Sequence, residues 1–180
     1  IRIGEIRDVK MKSGRSGALA FVTVGYRLQQ DGVTCIEEEQ DIVYREAGAP
    51  VAMPPVRELP PPPEGTWQRT ITPDARLLFR FSALTFNAHR IHYDRPYARD
   101  GEGYPGLVVH GPLTAMLLAE LVRTNSPRVM TSFAFRGLAP IFDLAPFHLR
   151  AQAEGGFVVL EALGPDLAPA LTASCTLAEI

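Results

Sequence analysis

The hydrophobic pattern of the first 45 residues is typical of β-strands. Residues 17–28 and 33–45 are rich in β-branched and aromatic side chains, and Asp31-Gly32 between them is a strong signal for a tight hairpin turn. These runs predict an antiparallel pair of strands. Residues 1–5 also read as strand, with neither an initial methionine nor a preceding helix pattern, so we expect this segment to be part of a larger domain.

The composition changes abruptly to proline in the next segment. Residues 49–66 contain paired prolines at 54–55 and a run at 60–63, and proline cannot pair in the interior of a sheet. We therefore expect an extended, semi-rigid linker at 49–66. It separates the closing strands of a first domain, at 1–48, from a second domain at 67–180.

The second domain is predicted to begin with a strand and two helices. A short strand at 67–71 precedes a helix that ends near Leu84, with Thr72 as the expected N-cap and Pro73 as the first helical residue. A second helix begins at Gly111, and its residues 112–122 are apolar nearly all round. We therefore expect this second helix to be buried on all sides.

Four further runs with strand character complete the domain. They lie at 129–135, 146–152, 157–163 and 170–177, and turns containing Gly, Pro and Asp separate them. The elements together predict an α+β fold in which the helices lie against an antiparallel sheet.

Charge and cysteine content narrow the possible partners and location. The net charge of the 180 residues is −2 and the 18 Lys and Arg residues are scattered, so we expect neither a nucleic-acid nor a membrane partner. The apolar run at 112–122 is too short to cross a bilayer. Cys35 and Cys175 lie far apart in apolar, strand-like runs, which favours buried free thiols in a reducing compartment. We expect a cytoplasmic protein.

Three of the four histidines lie in the irregular segment before the second helix, at His89, His92 and His110. Imidazole is the side chain best suited to proton transfer near neutral pH, so this segment is the candidate active site. A three-histidine metal site is an alternative. It would require three rings to converge across a Gly-rich segment without a recognisable set of supporting residues, so we expect no metal.

The motifs of this segment resemble those of a known family. Residues 87–94 read NAHRIHYD, residues 97–98 read YA, and residues 109–111 read VHG. This pair of spaced motifs resembles the MaoC-like hydratase/dehydratase family, whose fold is the hot dog, an antiparallel sheet wrapped around a central helix. The sequence of these motifs is most similar to that of the double hot-dog subgroup, which includes mesaconyl-CoA hydratase and the type 2 hydroxyacyl-thioester dehydratases. The resemblance implies a double hot dog whose N-terminal half is incomplete here.

The resemblance also implies roles for four residues. His92 falls on the family's catalytic histidine, and Gly111 falls on the residue whose backbone N–H binds the thioester oxygen. Asn87 stands where the broader family has its catalytic aspartate, and His89 stands at that family's asparagine. An amide cannot exchange a proton as a carboxyl does, so we expect Asn87 to position the catalytic water. His89 or Asp94 would then orient or tune His92.

Other residues are candidates for contacts with the substrate. Tyr104 is placed near the expected site. Arg136 lies where related proteins carry a basic residue, which implies a contact with the phosphates of coenzyme A or of a phosphopantetheine arm; a solvated surface arginine is the equal alternative. His110 is also a candidate for contact with the substrate, although it is better suited to locking the loop before the helix. His148 lies in a later strand beside Phe147 and is expected to be structural.

The expected function is a hydro-lyase that hydrates or dehydrates an enoyl or 3-hydroxyacyl thioester, such as mesaconyl-CoA or a 3-hydroxyacyl-CoA. No cofactor is expected beyond the coenzyme A of the substrate, and we expect a homodimer. A hot-dog thioesterase is an alternative, since it shares the oxyanion site at the helix end. A non-catalytic acyl-binding or dimerisation module is another, because the aspartate is absent.

Overall fold

Three long strands form the first of two units, which spans Ile1–Ala49. The computed structural model describes residues 1–14, 17–45 and 50–179. Strands β1 (Arg2–Gly14), β2 (Gly17–Gln30) and β3 (Val33–Arg45) pair antiparallel in that order. Asp31 and Gly32 have positive φ angles of 51° and 81°, the left-handed backbone that a two-residue hairpin turn needs. The predicted strands and turn are confirmed.

The second unit, Pro50–Ile180, contains one five-stranded antiparallel sheet and two α-helices. The sheet has the strand order β4-β6-β7-β8-β5. In chain order the elements are β4 (Thr66–Ile71), α1 (Ala75–Leu84), α2 (Gly111–Asn125), β5 (Met130–Gly137), β6 (Phe147–Glu154), β7 (Phe157–Leu163) and β8 (Pro169–Leu177). Between α1 and α2 lie a short 3₁₀ turn at Arg90–His92 and one π-helical turn at Tyr97–Gly101.

The core lies between helix α2 and one face of this sheet. Alternate residues of β6 (Phe147, Leu149 and Ala151) are buried, as expected of a strand with one covered face. Helix α2 contacts all five strands, and Leu118 and Val122 on it belong to the same core cluster. The predicted α+β layout, with the sheet around a central helix, is therefore the layout observed.

Helix α2 is buried along one face rather than on all sides. Leu118 and Leu121 are buried, but Met116 is 61% exposed. The prediction of a helix buried all round was wrong, because apolar composition does not reveal which side the sheet covers. Within the described residues no helix is long and apolar enough to span a membrane.

Helix α1 is capped by Asp74 and not by Thr72. The Asp74 carboxylate accepts a hydrogen bond from the Leu77 N–H at 2.8 Å, so the helix begins at Ala75. Thr72 and Asp74 are separated only by Pro73, and the prediction of Thr72 as the cap was wrong. Pro73 consequently precedes the helix instead of forming its first residue.

The predicted linker packs against the second unit. Val51 donates its N–H to the Gly103 carbonyl at 2.9 Å, and Arg57 donates to the Pro165 carbonyl at 2.8 Å. Val51 and Met53 also pack on a small apolar cluster formed by Ile91, Val108 and Phe142. Residues 50–65 therefore belong to the second unit, and the expected boundary at 48–49 lies outside the described residues.

The two cysteines differ in burial. Cys175 is buried in β8, and burial raises the pKa of its thiol. Cys35 is exposed on β3, so the prediction of a buried thiol was wrong there. The strand-like pattern around Cys35 predicted the strand correctly, but most of β3 is exposed on both faces in the described part of the first unit.

Candidate active site

His92 is held below the surface by a backbone carbonyl. The 3₁₀ turn at Arg90–His92 directs the ring inward, where Nδ1 lies 2.7 Å from the carbonyl oxygen of Val108. A carbonyl can only accept a hydrogen bond, so Nδ1 carries the proton and Nε2 keeps its lone pair. Burial lowers the pKa of His92, which keeps the ring neutral and able to act as a base near neutral pH.

His110 lies directly behind His92. The two imidazole rings stack with centroids 3.7 Å apart and planes within 16° of each other. His110 is 1% exposed, and its Nε2 lies 2.8 Å from the hydroxyl of Ser82 on helix α1. The edge of the Phe81 ring encloses it, with centroids 4.8 Å apart. His110 is thus an interior residue that locks the start of helix α2.

The stacked pair is neutral at pH 7. Burial, and to a smaller extent the neighbouring His92, lower the pKa of His110 from 6.5 to about 4. The edge of the exposed His89 ring faces His92, with centroids 5.7 Å apart. A proton on either buried ring would be unfavourable, so His92 is neutral and its Nε2 keeps the lone pair that a base needs.

These lowered pKa values predict a loss of stability in mild acid. The unfolded chain protonates His110 near pH 6.5, whereas the folded protein does so only near pH 4. The free energy of unfolding should therefore decrease as the pH falls through this window, and His92 adds to the decrease. Urea unfolding across the window should show a shallower decrease for His110→Asn than for the unsubstituted protein. Equal slopes would contradict the assignment.

Asn87 shapes the loop that leads to His92. Its side-chain oxygen accepts a hydrogen bond from the His89 N–H at 3.0 Å, and its own N–H donates to the Ser82 carbonyl at 2.9 Å. The amide nitrogen of the side chain is therefore the group that could orient a water molecule. Asn87 and Ser82 line a cavity of about 320 Å³, whose wall includes three partly or fully exposed aromatic residues: Phe79, Phe86 and Tyr93.

Gly111 is the first residue of helix α2, directly after His110. The N–H groups of a helix's first turn have no partner within the helix, and the helix dipole makes this end attractive to negative charge. Gly111 is exposed, and a Cβ atom added there would meet no heavy atom within 4 Å apart from its chain neighbours and the backbone of its own helix. No side chain caps the helix at His110. The arrangement can therefore accept an oxyanion.

Asp94 does not orient His92, contrary to one of the sequence-based expectations. Its carboxylate accepts hydrogen bonds from Arg90 at 2.7 and 3.0 Å and from the Tyr97 N–H at 3.1 Å. The Arg90 guanidinium lowers the pKa of this carboxyl. The orienting group is the backbone carbonyl of Val108, which no side-chain motif reveals.

Tyr104 and Arg136 are the two other candidates for substrate contact. Tyr104 packs near Phe142, with ring centroids 5.9 Å apart, beside the cluster that Val51 and Met53 join. Arg136 is exposed on the edge strand β5, where it lines a shallow depression with Thr172 and Ser174. Their predicted roles in binding stay predictions.

His148 contacts Thr70, and its predicted structural role stays a prediction; one further residue, Ser82, belongs to the site. His148 lies on β6, with Nδ1 2.9 Å from the Thr70 hydroxyl. Ser82 was missed by the sequence analysis. It lies four residues after Leu78 on the buried face of α1, and a hydroxyl in that apolar stripe was the available signal.

No metal site is formed in the described part of the chain. Residues 1–14, 17–45 and 50–179 contain no group of three or more His, Cys, Asp or Glu side chains arranged to hold a metal ion. His92 and His110 stack in parallel rather than converge on one point, and each already uses one ring nitrogen in a hydrogen bond.

A buried carboxylate fixes the segment that supplies the Val108 carbonyl. Asp143, whose side chain is 1% exposed, accepts hydrogen bonds from both terminal nitrogens of Arg95 and from the Leu107 N–H at 2.9 Å. Asp143 also donates its own N–H to the Leu107 carbonyl at 3.0 Å. This clamp holds the residue that immediately precedes Val108.

Replacing Asp143 by asparagine is expected to lower the free energy of unfolding by about 1.5–3 kcal/mol, because the buried Arg95 contact loses its charge. Urea unfolding measures the change. Glu120→Gln is the matched control, since Glu120 makes an equally short but exposed pair with Arg123, for which we expect at most about 1 kcal/mol. Similar losses in both variants would contradict the clamp.

Comparisons with known proteins identify the family of this chain. The family model described as hydroxyacyl-thioester dehydratase type 2 matches residues 2–143. Mesaconyl-C(4)-CoA hydratase of Chloroflexus aurantiacus is 63% identical over 176 residues, which cover 98% of this chain and 62% of that protein. The mitochondrial hydroxyacyl-thioester dehydratase type 2 of Schizosaccharomyces pombe is 35% identical over 138 residues, 75% of this chain and 45% of that protein.

A solved structure shows the same fold. HtdX from Mycobacterium tuberculosis superposes with a TM-score of 0.68 at 18% sequence identity, over 96% of this chain and 67% of that one. The hot-dog fold predicted from the motifs is therefore confirmed. The chain spans less than two thirds of the length of the two curated relatives. It belongs to the hydroxyacyl-thioester dehydratase type 2 family.

Proposed function

We propose that the protein is a hydro-lyase that reversibly adds water to a 2-enoyl thioester of coenzyme A. The observation that carries the proposal is the stacking of His92 on His110, the residue directly before Gly111. This contact brings a neutral imidazole base close to the open end of helix α2. Membership of a family named for hydroxyacyl-thioester dehydratases supports the same chemistry.

In the hydration direction, Nε2 of His92 takes a proton from the attacking water while the water oxygen bonds to C3 of the substrate. The electrons of the double bond move toward the thioester, and the Gly111 N–H and the helix dipole stabilise the resulting enolate oxygen. His92 then returns the proton to C2. The net change is one water added, and no other reactant is consumed.

Asn87 orients the water in this scheme but does not exchange a proton with it. Its side-chain oxygen is already bonded to the His89 N–H, which leaves the amide nitrogen to donate toward the water oxygen. A single histidine that first accepts and then donates a proton is sufficient for the reaction, because the two transfers occur in sequence.

The substrate and the surroundings are part of the proposal. A dicarboxylic acyl-CoA of the mesaconyl type is the first choice, since the relative named for that substrate is identical at 63% of the aligned residues. The scheme uses no cofactor beyond coenzyme A.

Free thiols at Cys35 and Cys175 suit a cytoplasmic enzyme. Exposed apolar side chains such as Met116 and Val129 suit a dimer.

Two parallel assays of the full-length protein test the proposed function. The first follows the ultraviolet absorbance of the conjugated enoyl thioester, and the second follows free thiol. We expect mesaconyl-CoA or a simple 2-enoyl-CoA to lose absorbance without release of thiol. Release of thiol would instead indicate a thioesterase, and no change in either assay would indicate a non-catalytic acyl-binding module.

A further inference from the structure

Ser82 is a buried serine that makes two hydrogen bonds within the site, one with its side chain and one with its backbone. Its side chain is directed inward from helix α1, and the residue is 5% exposed. The hydroxyl lies 2.8 Å from Nε2 of His110, and the backbone carbonyl accepts the Asn87 N–H at 2.9 Å. One residue thus holds both the ring behind His92 and the loop that carries Asn87.

The contact with Ser82 is the polar anchor of the His110 ring. The other ring nitrogen, Nδ1, is buried and has no hydrogen-bond partner within the described residues. The remaining neighbours, Phe81 and His92, contact the ring by its edge and its face. The Ser82 hydrogen bond fixes the position of Nε2, and together with these ring contacts it holds the plane of His110.

The plane of His110 in turn limits where His92 can lie. His92 has one hydrogen bond, from Nδ1 to the Val108 carbonyl, and that bond alone allows the ring to swing about the donor atom. The flat face of His110, 3.7 Å away, removes this freedom. The direction of Nε2, the atom that would handle the proton, is therefore determined by two contacts together.

We propose that Ser82 is a positioning residue for the hydration reaction. It acts through His110 to aim Nε2 of His92, and through its carbonyl to place Asn87. It does not touch the reacting atoms. The inference rests on the proposed function, since it explains how that site is held in its working geometry.

Steady-state kinetics of three variants test the inference. Ser82→Ala removes the hydroxyl and is expected to lower kcat by about tenfold to a hundredfold with little change in KM, because misplacing a catalytic group by about 1 Å has effects of this size. Ser82→Thr restores a hydroxyl and should recover most of the lost kcat. Thr70→Val is the matched control, because it breaks the equivalent hydroxyl contact to His148 outside the site and should leave kcat unchanged.

Nitrogen NMR of the imidazole rings tests the same link without catalysis. In Ser82→Ala the ring resonances of both His110 and His92 should shift, whereas Thr70→Val should shift only those of His148. If Ser82→Ala does not fold, Ser82→Thr and Ser82→Cys provide the same comparison.

The outcomes separate this inference from the proposed function. An inactive unsubstituted protein would count against the hydro-lyase, and the NMR shifts would still decide the role of Ser82. Full kcat in a folded Ser82→Ala protein, or an unchanged His92 resonance, would overturn the inference.

Discussion

Substitution of His92 by asparagine is expected to lower kcat for hydration by about a hundredfold to ten-thousandfold, the usual contribution of a general acid–base residue. The asparagine amide nitrogen occupies nearly the position of Nδ1, so the hydrogen bond to the Val108 carbonyl can be kept. What is lost is Nε2, the only atom of the residue that can take the proton. Steady-state kinetics on the enoyl thioester measures the loss.

His148→Asn is the matched control for this substitution. His148 and His92 are each 8% exposed, and each uses Nδ1 in one hydrogen bond. Both substitutions should therefore have similar effects on the unfolding free energy, while only the one at His92 affects kcat strongly. Comparable loss of kcat in the two variants, or near-full activity in His92→Asn, would refute the role of His92 as the proton shuttle.

Substitution of Gly111 by proline is expected to lower kcat by about a hundredfold to a thousandfold, because it removes the backbone N–H that stabilises the enolate oxygen in the proposed mechanism. The fold should tolerate the change. Proline is favoured at the first position of a helix, and His110 already has the extended backbone, φ −63° and ψ 131°, that suits a residue before proline. The measurements are steady-state kinetics and thermal unfolding.

Gly111→Ala distinguishes the effect of losing the N–H from the effect of adding a side chain. It keeps the N–H and adds only a Cβ atom, for which the empty protein has space. We expect the alanine variant to retain much more activity than the proline variant at similar thermal stability. If both variants lose activity equally, access to the helix end and not the N–H controls the rate.

Local signals in the sequence predicted the elements that local chemistry determines. The Asp31-Gly32 turn and the strands around it depend on backbone preferences and side-chain alternation, both visible in a few neighbouring residues. The motifs around His92 and Gly111 likewise predicted which residues the fold brings together at the start of α2. Their catalytic roles stay predictions until kinetics test them.

Contacts between distant residues could not be predicted in the same way. The Val108 carbonyl and the Ser82 hydroxyl reach the two histidines only after α1, the irregular segment and α2 have packed together. Asp94 was assigned to His92, but its carboxylate binds Arg90 instead. Arg90 lies four residues earlier on the same turn, so this contact needs no tertiary packing.

The sequence also did not show which faces of the helices and strands are covered by tertiary packing. Cys35 and Met116 lie in a strand and in an apolar helix that were both predicted correctly, yet both residues are exposed. Periodicity shows that a face is apolar, and only the positions of the neighbouring elements show whether something covers it.

Helix α2 begins without the side-chain cap that most helices use. Its N-cap residue, His110, directs its ring to Ser82, so the chain forgoes the stabilisation of about 1 kcal/mol that a serine or aspartate would contribute there. A bound thioester oxygen would occupy the same place as the missing cap. In the proposed mechanism the substrate would complete the helix, so that binding the thioester oxygen would also stabilise the fold.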